Sequence, residues 1–242
     1  YELAIKYLES CEKITSQDTT KETKEIMISL KIGIAGCYFN LNNPAKAIEV
    51  GTQALDLCKQ VFHDAHPTYA LSLSTLAGYY SYLGDNSKAV EYGTQAMNIF
   101  KKLLGEDSPV YAYSLYNLAN YYYCLSDFAK AIELCTQAKE IQRQILGETH
   151  SDYASSLVTL ANCYSNMCDF VKAIELCTQA KDIQRQLFGE THPAYASSLS
   201  ILANCYSNMG NFAKAIELCT QAKEIQRLLL GETNLDYATS LS

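Results

Sequence analysis

The chain has 242 residues, 48% of them hydrophobic and 19% charged, a composition that supports a sizeable buried core and excludes wholesale disorder. Lys and Arg number 19 against 26 Asp and Glu, a net charge of −7, which argues against general affinity for nucleic acid or an anionic membrane surface. Apolar stretches are short and broken by Ser, Asn, Lys or Glu, far from the roughly 20 residues of a membrane span.

One period organises the chain. The tetrapeptide GETH at Gly147 recurs at Gly189, with GEDS at Gly105 and GETN at Gly231, and the segments 147–188 and 189–230 are identical at 32 of 42 positions. In chain order, residues 1–14 match the second helix of a repeat, since Ala4-Ile5-Lys6-Tyr7 and Cys11 echo Ala47-Ile48-Glu49-Val50 and Ala54. Five full repeats are expected at 27–62, 69–104, 111–146, 153–188 and 195–230, and 237–242 would begin a sixth. Both ends thus fall inside repeats, so the natural array is expected to continue in both directions, and the uncovered ends are expected to associate end to end.

Each repeat predicts two helices. In the fifth, Tyr195, Leu199, Leu202, Ala203, Tyr206 and Met209 make one helical stripe, termed helix A. Ser207 to Asn211 break it, with Gly210 placed for a left-handed turn. Phe212, Ala215, Ile216, Cys219, Ala222, Ile225 and Leu229 make the stripe of helix B, which Gly231 stops. Pro67, Pro109 and Pro193 sit where a helix A starts, a position at which a missing N–H costs nothing. Lys31 stands where the other repeats have Leu73, Leu115, Leu157 and Leu199, so the first repeat departs most.

Two helices cannot bury their stripes alone, so the repeats must stack into an all-α, right-handed superhelical solenoid. Leu202-Ala203, Tyr206, Gly210, Phe212, Ala215 and Ala222 occur at tetratricopeptide-repeat spacing, and the 42-residue unit with its GETHPAYASSLSILA segment resembles the kinesin-light-chain type. That type is also common in bacterial multidomain proteins. The resemblance implies a cytoplasmic protein-interaction scaffold whose A helices line a concave groove for extended peptides. Two alternatives stand beside it: a sensor or regulatory arm of a larger protease or NTPase, and a self-assembly module.

No catalytic constellation is present. His63, His66, His150 and His192 fall in loops between repeats; His63 and His66 are spaced to bind a metal but have no carboxylate or Cys companion beyond Asp64, and no Gly-rich phosphate loop occurs, so neither a metal nor a cofactor is expected. Of the ten cysteines, Cys37, Cys163 and Cys205 share one repeat phase and Cys135, Cys177 and Cys219 another, and no CxxC pair occurs, which favours reduced core residues over disulfides. The face of helix A opposite its core stripe is the candidate binding surface. It carries Leu71, Ser74, Gly78 and Ser81 in the second repeat, and Tyr113, Tyr116, Asn120 and Tyr123 in the third. The fourth contributes Ser155, Val158, Asn162 and Ser165, and the fifth Ser197, Ser200, Asn204 and Ser207. The Asn residues supply amides for a peptide main chain and the tyrosines supply large half-polar anchors.

Overall fold

The computed structural model describes residues 1–15, 20–62 and 66–230. Its described residues form α-helices and connections, with no strand, in two compact units: Tyr1–Leu125 and Ser126–Ser242. The first holds α1 (Glu2–Thr15), α2 (Lys21–Asn40), α3 (Pro44–Phe62), α4 (Pro67–Tyr82), α5 (Asn86–Leu104) and α6 (Pro109–Cys124). The second holds α7 (Phe128–Leu146), α8 (Ser151–Asn166), α9 (Phe170–Phe188), α10 (Pro193–Asn208) and α11 (Phe212–Leu230). The segment 237–242 and His63 lie outside the described residues.

Capping groups fix where these helices begin. The Nδ1 atoms of His66, His150 and His192 accept from the backbone N–H two residues on, at 3.2, 3.1 and 3.1 Å, and Ser108 Oγ accepts from Tyr111 N at 3.2 Å. The histidines are thus helix N-caps, and Pro follows directly in α4, α6 and α10. Asp85, Asp127 and Asp169 cap α5, α7 and α9 in the same way. Each A-to-B turn passes through positive φ: Gly84 at 82° and Gly210 at 79°, but also Asn42 at 57°, Ser126 at 61° and Cys168 at 63°. A side chain in that region is strained by a clash of Cβ with the carbonyl.

Short connections make successive helices antiparallel neighbours, and each helix within a unit packs on the next in order. The first unit buries Ile28, Ile34, Leu73 and Leu76 in one cluster, and the second buries Leu199, Leu202 and Leu218 in another. Fully buried alanines, among them Ala89, Ala131, Ala161 and Ala173, let the helix backbones approach. Lys31 is also buried, with its Nζ donating to Gln53 Oε1 at 2.8 Å. A buried ammonium needs such a partner.

Part of the expected core stripe is exposed. Phe212 and Ile216 are 64% and 67% exposed, Cys219 faces solvent, and Met209 at the end of α10 is 51% exposed. Ile174, one repeat before Ile216, is half-buried against the cluster that contains α10 residues. For the α11 residues the difference is a missing neighbour, since α9 is followed by α10 whereas no described helix follows α11; Met209 instead matches Met167, 53% exposed, at a position exposed in every repeat.

The contact between a helix B and the next helix A uses matched volumes. In the first unit a Cβ added at Gly93 would lie 3.1 Å from Tyr121 Cε2, and one added at Gly51 would lie 3.0 Å from Leu76 Cδ2 and 3.9 Å from Tyr79 Cε2. In the second unit the same repeat positions hold cysteine on both sides, Cys135 with Cys163 and Cys177 with Cys205. Cys135 and Cys177 donate to the carbonyls of Ser156 and Ser198, both at 3.3 Å. A second repeated link lies beside them: Ser156 Oγ donates to Gln142 Oε1 and Ser198 Oγ to Gln184 Oε1, each at 2.7 Å and buried.

Two outcomes follow from this packing. Gly93→Ala should cost about 1–3 kcal/mol in urea unfolding because the Tyr121 ring is confined, whereas Gly78→Ala, with nothing within 4 Å of its added Cβ, should stabilise by roughly 0.5–1 kcal/mol. Gly93→Cys and Tyr121→Cys should each destabilise, and the double variant should recover on the order of 1–3 kcal/mol of their summed loss.

A further outcome concerns pH. Burial pushes the Cys135 and Cys177 thiols from 9.0 up to about 12 and the Cys163 thiol up to about 11. The unfolded chain therefore releases these protons first, so stability is intact below pH 9.0 and falls as pH rises toward about 12. Unfolding free energy measured across that window should lose up to about 1.4 kcal/mol per pH unit for each such thiol. The slope should be shallower in Cys135→Ala/Cys177→Ala.

Candidate functional site

The A helices of the second to fifth repeats carry little charge. Helices α4, α6 and α10 contain no Asp, Glu, Lys or Arg, and α8 contains only Asp152. The B helices carry the charge instead, in exposed pairs spaced three apart: Lys46–Glu49, Lys130–Glu133, Glu140–Arg143, Lys214–Glu217 and Glu224–Arg227. Such pairs suit a solvated surface. The Thr and Gln of the recurrent TQA triplet are partly explained too. Thr52 and Thr220 donate to carbonyls of their own helices at 2.8 Å, and Gln53 is the acceptor for Lys31.

In the first unit the A-helix face is aromatic and aliphatic. Tyr113 on α6 is 56% exposed and Leu71 on α4 is 52% exposed, with Tyr116 and Tyr123 half-buried. Asn120 Nδ2 donates to Tyr116 O at 3.1 Å in its own helix, and Ser81 Oγ donates to Asn86 Oδ1 at 3.1 Å. Ser74 is half-buried beside Gly78, and open space lies over Gly78. Tyr82, 60% exposed, sets its ring edge-on to Phe39 at 4.9 Å and donates its hydroxyl to Asn42 Oδ1 at 2.8 Å. Its exposure was not anticipated from sequence, because Asn40, Cys124, Asn166 and Asn208 hold its repeat position elsewhere.

In the second unit the face is small and polar. Asn162 and Ser165 on α8 are half-buried, and Asn204, Ser197, Ser200 and Ser207 on α10 are exposed. These two helices touch directly, and Cys205 Sγ approaches Ser165 Oγ at 3.5 Å. Ser155 and Ser200 donate to the carbonyls of Ser151 and Ala196, leaving oxygen lone pairs outward. Asn208 Nδ2 donates to the Asn204 backbone carbonyl, as Asn166 Nδ2 does to that of Asn162, each at 2.8 Å, and Asn204 Oδ1 also accepts from Asn208 Nδ2 at 2.8 Å. The three asparagines therefore divide: Asn120 belongs to the first unit, Asn162 and Asn204 to the second. They are not equally committed to their own helices.

Nothing among the described residues resembles a reaction centre. No group of three His, Cys, Asp or Glu is placed to hold a metal ion, and no helix is long and apolar enough to cross a membrane. The imidazoles of His66, His150 and His192 use their Nδ1 as capping acceptors. All ten cysteines are free thiols; Cys124, Cys168 and Cys219 are exposed and the rest are buried or half-buried.

Comparison with known proteins places this arrangement. The tetratricopeptide-repeat family model matches residues 26–102, 92–144, 111–170 and 152–218. Repeats of a Podosopora anserina protein described as a putative kinesin light chain are 28% identical, with a TM-score of 0.70 over 83% of this chain and 95% of that one. BtubC (BKLC) from P. vanneervenii is 23% identical, with a TM-score of 0.78 over 96% of this chain and 92% of that one. RapI in its apo form shares the fold at 17% identity and a TM-score of 0.74, over 96% of this chain and 61% of that one. No curated protein matches the chain in sequence. The helix pairs, the small buried alanines and the family match agree, and the chain belongs to the tetratricopeptide-repeat family.

Proposed function

We propose that the chain is a non-catalytic protein-interaction scaffold whose A-helix faces bind an extended, weakly charged segment of a partner protein. The observation that carries this is the segregation of charge. Exposed helix faces are ordinarily rich in Glu and Lys, yet α4, α6 and α10 have none, while the B helices hold the ion pairs. An uncharged face costs little to desolvate when a partner covers it. The two units contribute different chemistry. Tyr113, Tyr116 and Tyr123 with Leu71 offer side-chain anchors, and Asn162 and Asn204 offer amides to a peptide main chain.

The test is a library of extended, weakly charged peptides titrated by fluorescence anisotropy. Affinity should change little with salt, because few ion pairs are screened. Replacing Asn120, Asn162 and Asn204 by Ala should weaken binding across many peptide sequences alike. Replacing Tyr113 or Tyr116 by Ala should change which peptide is preferred and cost about 1–4 kcal/mol for that peptide. Affinity that survives both sets of replacements but collapses when Lys214 and Glu217 are reversed in charge would place binding on the B helices and refute the proposal.

A further inference from the structure

The A-helix face of the first unit carries rings that the second unit does not. Phe39 on α2 and Tyr82 on α4 meet edge-on at 4.9 Å, so these two A helices are neighbours. Tyr82, Leu71 and Tyr113 are each more than half exposed. The Tyr82 hydroxyl donates to Asn42 Oδ1 at 2.8 Å, which holds the ring in place before any ligand arrives. Gly78 lies one helical turn before Tyr82 on the same stripe, and a Cβ added there meets nothing within 4 Å, so the ring borders a hollow. In the second unit Ser155 and Ser197 stand in place of Tyr113, and Asn166 and Asn208 in place of Tyr82.

The polar atoms of this face narrow the choice of ligand. Helices α4 and α6 have no carboxylate to accept a hydrogen bond. The Asn120 amide is spent on Tyr116 O and the Ser81 hydroxyl on Asn86 Oδ1, which leaves the phenols of Tyr113 and Tyr116 as donors. An ordinary extended peptide brings a main-chain N–H at each residue, and burying one without an acceptor is destabilising. Proline brings a carbonyl and no N–H, and its apolar ring suits an aromatic surface. Charge complementarity points the same way: with no charged side chain on α4 or α6, a charged occupant would lose hydration without gaining an ion pair. Spacing agrees as well. A polyproline II chain turns the same side toward its partner every three residues, about 9 Å, close to the roughly 8–10 Å between packed helices. A β-strand does so about every 7 Å.

We propose, resting on the scaffold reading above, that the A-helix face of the first unit binds a proline-rich segment in the polyproline II conformation. Prolines stack on Tyr82 and Tyr113, and their carbonyls accept from the Tyr113 and Tyr116 hydroxyls.

Fluorescence anisotropy on the full chain tests this, with labelled nonaproline amide compared with a labelled, uncharged peptide of alternating serine and valine of equal length. Nonaproline should bind the more tightly of the two. Tyr82→Ala and Tyr113→Ala should each weaken it about tenfold or more. Gly78→Leu, which fills the hollow beside Tyr82, should weaken it too while the helical circular dichroism stays the same. The proposal is overturned if nonaproline does not bind, or if its affinity survives both tyrosine replacements. Binding of the serine–valine peptide alone, weakened by those replacements, would overturn the proline preference and leave the scaffold reading standing; binding of neither peptide would count against both.

Discussion

Everything in this molecule depends on the contact between a helix B and the helix A that follows it. A single pair of amphipathic helices buries only one side of each, and the other side must find a neighbour before the apolar area suffices to offset chain entropy. Helix α11 illustrates the requirement by lacking that neighbour among the described residues. Ile174 is half-buried where Ile216, at the equivalent position one repeat later, is exposed. Stability is therefore distributed along the contacts and is smallest where a contact is missing.

Much of this was legible in the amino-acid order. The period of 42 fixed the number and spacing of helices, and the alanines of each stripe are indeed buried. Prolines and glycines marked starts and turns because their backbone limits are local properties. Other features were hidden for physical reasons. Ser126 and Cys168 adopt the left-handed conformation that Gly84 and Gly210 adopt easily, so the turn overrides local preference at those sites. Stripe position alone could not reveal that Phe212 and Ile216 are exposed, since burial there depends on a neighbour rather than on the residue. The Gly–Tyr and Cys–Cys contacts were visible only as unrelated columns of the repeat until space showed that they face one another. Nothing in the pattern marked the uneven commitment of Asn120, Asn162 and Asn204, because each side chain chooses among donors and acceptors within its own turn.

The same division of labour shapes the candidate surface. Core packing takes one face of every A helix and ion pairs take the outer faces of the B helices, while the opposite A-helix face makes scattered contacts such as Tyr82 with Phe39 and Ser165 with Cys205. Its residues can differ between repeats at small cost to stability. This is where the units diverge, from Leu71, Tyr82 and Tyr113 in the first to Ser155, Asn162 and Asn204 in the second. A scaffold that varies its exposed face while fixing its contacts presents more than one chemistry from one architecture.

The paired volumes at Gly93–Tyr121 and Cys135–Cys163 also act as labels. Repeats of one 42-residue period invite a helix to settle on the wrong partner while the chain folds. A tyrosine helix that met a cysteine helix would be overpacked, and a cysteine helix against glycine would leave a void, so pairing across the two kinds is penalised at once. Gene duplication meets the same filter. A 42-residue unit copied into the array keeps its contact volumes matched where like joins like.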